Sequence, residues 1–285
     1  MIKNILLTGS GGFIGKNLKK HLENKYNILS PRSFELDCRD KDAVCKYFKE
    51  NDIDFIIHCG STGGARDTKD KDTTVADNLA MVINLLETKK DETRMIVFSS
   101  GAMYGKQRPI QKIKENEVGD VVPLDLYGES KMRIAQLVEG LKDVICLNIF
   151  ACYGYDELPT RFPSYAITQN IKHLPIEINR NVVFDYLFID DLCEIVEHFV
   201  NNNWKKYNII NVTPNNSISL LEISELVNKI SDFKSDITIK DKTLGNEYTG
   251  CNERLLSEIE DMNFTPMEEG LKSLYSYMSF DKKNS

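Results

Sequence analysis

Short apolar runs recur along the chain, each followed by a stretch in which apolar residues return every three or four positions. The runs are Ile2–Leu7, Tyr26–Leu29, Asp54–Cys59, Met95–Phe98 and Val144–Ile149, with a later one at Tyr207–Val212. Their length and β-branched content predict buried strands. The intervening segments 13–24, 41–51, 74–90 and 126–142 predict amphipathic helices. Strand alternating with helix implies a parallel sheet covered on both faces, a doubly wound α/β fold. After about residue 150 the rhythm breaks, and Pro159, Pro163, Pro175 and Pro214 punctuate shorter elements. The expected division is therefore a sheet domain over 1–150 plus about 183–212. A smaller C-terminal lobe takes about 151–182 plus 213–285. Only Asp281–Ser285 reads as a disordered tail.

Composition narrows the function classes. With 41% hydrophobic and 28% charged residues, the chain reads as soluble and globular. A formal net charge of -7 argues against a nucleic-acid partner, whose phosphates call for a basic face. Seven widely spread cysteines without a C-x-x-C pair fit neither a disulfide framework nor a zinc site, so no metal is expected. The chain opens straight into a strand pattern without the basic-then-apolar order of a signal peptide, and no apolar run reaches membrane-spanning length. Reduced thiols in the cytoplasm are the expectation.

The first strand runs into Thr8-Gly9-Ser10-Gly11-Gly12-Phe13-Ile14-Gly15, and a helix follows at once. Glycines at 9, 12 and 15 allow a tight turn, close approach of a pyrophosphate to backbone N–H groups, and close helix–strand packing. The helix N-terminus adds positive potential. This predicts a Rossmann-type dinucleotide site. The next strand ends Ser30-Pro31-Arg32-Ser33, where an enzyme preferring NAD usually has an acid for the ribose 2′-hydroxyl. Arg32 and Ser33 suit a 2′-phosphate, so NADP(H) is favoured; Glu35 close by keeps NAD(H) open. Asp37 is placed to reach the adenine.

Tyr127 and Lys131 stand four residues apart at the start of a predicted helix and so share a face. A lysine there is expected to pull the phenol pKa down toward working pH, so that Tyr127 exchanges a proton with a carbinol or ketone while a nicotinamide exchanges hydride. Ser100 leaves the C-terminal end of a strand in Val97-Phe98-Ser99-Ser100-Gly101-Ala102-Met103-Tyr104-Gly105. Open α/β sheets bind ligands at such ends, so Ser100 is expected to hold the reacting oxygen against Tyr127.

With these residues in order, the chain resembles the extended short-chain dehydrogenase/reductases, specifically the NAD-dependent epimerase/dehydratase family that acts on nucleotide sugars. The resemblance runs from residue 1 to about 280. It rests on T-G-x-x-G-F-I-G, S-S-x-x-M-Y-G, Y-x-x-x-K, the segment Phe184–Leu192 and the closing Phe264–Leu271. It implies catalytic Ser100, Tyr127 and Lys131. It also implies a cofactor groove of Gly9, Gly12, Phe13, Ile14, Gly15, Arg32, Ser33, Asp37, Cys38, Cys59, Gly60, Ser61, Asn78, Ser99, Tyr127, Lys131 and Ile149. Gly101, Ala102, Tyr153, Arg161, Tyr165 and Arg254 are the residues expected to face substrate. Relatives dimerise through two helices, which here correspond to the segments near 78–90 and 127–140.

Departures from the family pattern narrow the reaction. Dehydratases carry Asp-Glu where this chain has Gly101 and Ala102, which have no side-chain proton to move. The epimerising reductase branch has Cys at the position of Ala102 and His near that of Tyr165. The diphosphate-contacting Asn of the family is Ala151 here, and the Arg of its R-D-Y segment is Phe184. Charge-assisted donors would have to come from Arg161, Arg180 or Arg254, or the substrate lacks a nucleotide diphosphate. The expected activity is NADPH-dependent reduction of a 4-keto (deoxy) sugar, with nucleotide-sugar 4-epimerisation on NAD as the alternative. A non-catalytic dinucleotide-binding role is disfavoured by the retained Tyr127 and Lys131.

Overall fold

A computed structural model describes residues 2–65, 68–204 and 206–281. The tail at 282–285 lies outside the described residues. In chain order the first half holds β1 (Asn4–Thr8), α1 (Phe13–Leu22), β2 (Asn27–Leu29), α2 (Lys41–Glu50), β3 (Phe55–His58), α3 (Thr74–Thr88), β4 (Arg94–Ser100), β5 (Ile110–Ile113), α4 (Leu126–Val138) and β6 (Val144–Ile149). A single 3-10 turn, Gly101–Tyr104, follows β4. Helix α4 stops short of the expected residue 142 because Gly140 turns to φ +77°, where the backbone reverses.

The remaining elements are β7 (Ala151–Tyr153), α5 (Phe162–Ile171), β8 (Ile176–Asn181), β9 (Val183–Phe184), β10 (Tyr186–Phe188), α6 (Ile189–Asn201), β11 (Ile209–Val212), β12 (Ile218–Ser219), α7 (Leu220–Ile230), β13 (Ile237–Leu244), β14 (Tyr248–Gly250), α8 (Glu253–Glu258) and α9 (Met267–Asp281).

The central sheet has the order β11-β6-β4-β3-β1-β2, and every pairing in it is parallel. Alternate residues of each strand enter opposite cores. Ile5 and Leu7 of β1 pack with Leu18 of α1 and Phe199 of α6, while Leu6 packs with Val44 of α2 and Leu85 of α3. Both faces are therefore buried, which is why these strands read as continuous apolar runs. Strand β1 lies between β2 and β3, so chain order reverses beside it, and the crevice at such a reversal is where open sheets take ligands.

Helix starts follow local chemistry. Asp40 caps α2 by accepting from the N–H groups of Asp42 and Ala43 (2.9 and 3.1 Å), and Asp125 caps α4 through the Gly128 N–H (2.8 Å). Helix α1 follows Gly12 with no side-chain cap, leaving its first N–H groups facing the crevice.

The later segments build smaller sheets beside the central one. These are the parallel pair β8–β13, the pair β7–β10, and a four-stranded sheet of order β12-β9-β14-β5. Strand β5, from the first half of the chain, is thus stitched to β14 from near the end. All seven cysteines are free thiols. No helix among the described residues is long and apolar enough to cross a membrane.

Candidate active site

The glycine loop and the ends of β1 and β3 enclose a cleft of about 670 Å³. Its geometry demands the residues present. Gly9 adopts φ +70°, and a Cβ there would come within 2.6 Å of the Cys59 carbonyl carbon. A Cβ on Gly15 would collide with the Gly9 backbone, so α1 packs closer to β1 than any side chain permits. Backbone from Gly9, Gly12, Cys59, Gly60 and Ser61 lines one side of the cleft. Arg32, Ser33, Asp37 and Cys38 line the other. The Arg32 guanidinium rests against Gly11, where a Cβ would strike its Nη1. Glu35 is turned away, its Oε2 accepting the Arg32 backbone N–H at 2.6 Å. Asp37 is gripped by Arg39 (2.7–3.2 Å), whose hydrogen bonds hold its carboxyl below the usual range.

The cleft meets a second cavity of about 460 Å³ at Cys59 and Ser61. Phe13, Ile14, Ser99, Ser100, Ala102, Tyr127, Lys131, Ile149 and Arg161 line it, so most of the expected site residues converge on one groove. The Ser100 Oγ accepts the Ala102 N–H at 3.2 Å, and its hydroxyl pulls the Tyr127 phenol down against the larger effect of burial. The Ser99 hydroxyl points the other way, donating to the Lys131 carbonyl at 3.0 Å. This ties the second turn of α4 to the end of β4.

A family model for the NAD dependent epimerase/dehydratase family matches residues 5–213, from β1 through β11. The chain belongs to that family. It is therefore an NAD(P)-dependent enzyme of the extended short-chain dehydrogenase/reductase type. GDP-L-colitose synthase of Yersinia pseudotuberculosis is 27% identical over 310 residues, spanning 98% of this chain and 99% of that protein. Among solved structures, GDP-mannoheptose C4 reductase from Campylobacter jejuni with NADP bound superposes with a TM-score of 0.83 at 18% identity, covering 98% of both chains. UDP-glucose 4-epimerase of Thermus thermophilus in complex with NAD gives 0.76 at 18% identity over 97% of this chain and 99% of that one. At such identities the superpositions speak for the fold.

Several details of this family member differ from the sequence expectation. Burial, not the Lys131 charge, sets the direction of the Tyr127 shift. The Lys131 Nζ donates to the Phe98 carbonyl (3.0 Å) and sits 5.4 Å from the centre of the Tyr127 ring. Burial dominates and holds the phenol above its ordinary value, against weaker opposite pulls from Ser100 and Arg161. Lys131 itself is pushed down to about 8 by burial.

Asn78 lines neither cavity. Its amide is consumed by the Thr62 N–H and carbonyl (2.8 and 3.0 Å) and the Ser130 hydroxyl (2.9 Å), tying the loop after β3 to α4. Gly101 lies behind the cavity wall, where a Cβ would meet Phe150 and Tyr248. Tyr153 is buried among Tyr186 and Phe188 against Gly270, and the Tyr165 hydroxyl accepts the Glu177 N–H (3.1 Å), so neither lines the cavity. Arg254 is drawn elsewhere by a buried carboxylate, pairing with Glu115 at 3.4 Å and covering the Tyr207 ring. Arg180 pairs with Asp241 on the outside.

The sequence reading missed other residues. Asp70 accepts the Tyr127 N–H (2.9 Å) and the Gly64 N–H (2.8 Å), pulling the loop after β3 onto the start of α4. Gly64, at φ +78°, presses its Cα face on the Tyr127 ring. Tyr248 brings a second phenol to the cavity, held above its ordinary pKa by burial against an opposite pull from Ser100. Lys106 and Arg108 enter the cavity from the loop before β5. Only that Lys-Gln-Arg cluster, directly after the serine motif, left a sequence signal. Tyr248 left none.

Proposed function

We propose that the protein reduces a 4-keto (deoxy) sugar, nucleotide-linked, with NADPH. The observation that carries this reading is a phenol, Tyr127, held protonated by burial beside the Ser100 hydroxyl in a cavity continuous with the glycine-loop cleft. A group poised this way delivers a proton to a forming alkoxide more readily than it removes one from a carbinol. The cleft suits a dinucleotide: Gly9 and Gly15 have no room for a Cβ, and the uncapped α1 N-terminus faces it. Gly9, Gly12 and Gly15 with Phe13, Ile14, Arg32 and Ser33 would hold the cofactor, Cys59 to Ser61 would flank it, and Lys131 would bind its nicotinamide ribose. When bound, the nicotinamide supplies hydride to the ketone carbon. Ser100 orients the carbonyl oxygen, and Tyr127 protonates it. The buried pair Gly101 and Ala102 offers no proton donor, which counts against dehydration.

Arg32 against Gly11, with Glu35 occupied, favours a 2′-phosphate and hence NADPH. Two of the three named proteins carry a GDP-linked sugar in their names, which supports a GDP-linked hexose or heptose, and a cytoplasmic setting belongs to the same proposal. The test incubates the protein with a GDP-linked 4-keto-6-deoxyhexose and follows NADPH oxidation, with cofactor binding measured by calorimetry. NADPH should bind more tightly than NADH, and Arg32→Ala should erase roughly tenfold or more of that preference. Tightly held NAD released only on denaturation would turn the reading to 4-epimerisation.

A homodimer through the outer faces of α3 and α4 belongs to the same proposal. Leu79, Ile83 and Leu86 are half-buried and Leu137 is exposed, whereas Val82, Ile134 and Val138 turn inward. Sedimentation of Ile83→Glu/Leu137→Glu should show a monomer; a wild-type monomer would refute the arrangement.

A further inference from the structure

The substrate cavity carries four cations, Lys106, Arg108, Lys131 and Arg161, against one carboxylate, Glu247. That carboxylate is engaged, its Oε1 accepting the Thr249 hydroxyl at 2.7 Å. Lys131 is committed to the Phe98 carbonyl at the inner end, and Lys106 lies 3.5 Å from Asp125 at the rim. Arg108 is different. Its Nε and Nη2 are buried, yet among the described residues neither has a hydrogen-bond partner. Buried guanidinium donors without acceptors are costly, because the solvation given up on burial is not replaced. They become favourable when an anion with two adjacent oxygens meets the planar fork.

The backbone presents this fork rigidly. Gly105 at φ +82° turns the chain out of the 3-10 segment, and the Arg108 N–H points back to the Gly105 carbonyl at 3.4 Å. Pro109 restricts Arg108 to extended backbone, and the Ile110 N–H is fixed on the Glu247 carbonyl at 2.8 Å. Arg161, where α5 begins, enters the same cavity, and its charge reaches Tyr127. Ala151 and Phe184 also line this space and can supply no donor from their side chains.

We infer that Arg108, supported by Lys106 and Arg161, forms the subsite for the diphosphate of a nucleoside diphosphate sugar. Arg108 is its bidentate anchor. The inference rests on the nucleotide-linked reading above and adds the residues that recognise the charged part of the substrate. It also sets this site apart from the cofactor's phosphates, which belong to the glycine-loop cleft.

The test uses the full chain saturated with NADPH and titrated by calorimetry with GDP, UDP and dTDP, and with guanosine as the uncharged control. At least one nucleoside diphosphate should bind, and guanosine should bind far more weakly. Arg108→Met should weaken the diphosphate by roughly tenfold to a hundredfold, the loss expected for hydrogen bonds to a charged group. Arg108→Lys, which keeps the charge without the fork, should recover part of that loss, and NADPH affinity should be unchanged in both. Lys106→Met provides a second, solvent-side variant with a smaller loss in the same direction. Diphosphate binding indifferent to Arg108, absent in wild type, or lost together with NADPH binding would overturn the subsite. Failure of NADPH oxidation with a 4-keto sugar, while diphosphate binding still depends on Arg108, would instead sink the reductase reading and leave the subsite standing.

Discussion

Lys131 carries a charge that its surroundings disfavour. It is almost wholly buried, its ammonium bonds one carbonyl, and burial brings its pKa to about 8. The ammonium loses its proton as pH rises through that value, while Tyr127, held above its ordinary pKa, stays protonated. NADPH affinity measured by calorimetry should therefore be flat from about pH 6 to 7 and weaken above about 8, and Lys131→Met should remove that limb. A limb that survives in Lys131→Met would assign it to another group. The sequence correctly paired Tyr127 with Lys131 on one helical face, because i to i+4 spacing settles direction. It could not show that burial outweighs their mutual field. Desolvation depends on every layer packed around α4, and no local spacing encodes it.

The elements around the glycine-loop cleft meet in a buried contact at the sheet's switch point. His58 at the end of β3 shares a hydrogen bond of 2.7 Å with the Thr8 hydroxyl at the end of β1. Burial, and secondarily the Lys131 charge, depress the imidazole to about 3. With the folded value below the unfolded one, the unfolded chain takes up the proton first. Stability is thus intact above about pH 6.5 and is lost as pH falls toward 3, at up to about 1.4 kcal/mol per pH unit for this group. Urea midpoints from pH 7 down to 4 should fall less in His58→Gln than in wild type; equal slopes would exclude this contribution. The strands and helices around this contact were legible in the sequence almost to the residue. Strands buried on both faces must be apolar throughout, and the glycine loop can only sit where a strand meets a helix. Asn78 shows the limit, since its position in the chain fits a ligand contact while its amide is spent on Thr62 and Ser130.

Across the whole molecule, the cavity is tied to the late segments of the chain through β14. Its Tyr248 stands over Phe150 and beside Phe184, with its hydroxyl against Gly101. Asp185, buried completely, accepts the Gly250 N–H at 2.8 Å and the Ser217 hydroxyl at 2.6 Å, and so pins the end of that strand. Tyr248→Phe should lower kcat about three- to tenfold, the worth of one ordinary hydrogen bond, with NADPH affinity unchanged. An unaltered kcat would confine Tyr248 to packing. By itself the sequence determined the layered sheet, the glycine turn between β1 and α1 and the shared face of Tyr127 and Lys131, because periodicity, glycine sterics and helical spacing act over a few residues. The tertiary structure alone decided which cations reach the cavity. Arg254 was claimed by the buried Glu115 and Arg180 by Asp241, whereas Arg108 brings buried donors that have no partner among the described residues. Charge pairing is settled among residues distant in the chain, by where the fold buries the opposite charge.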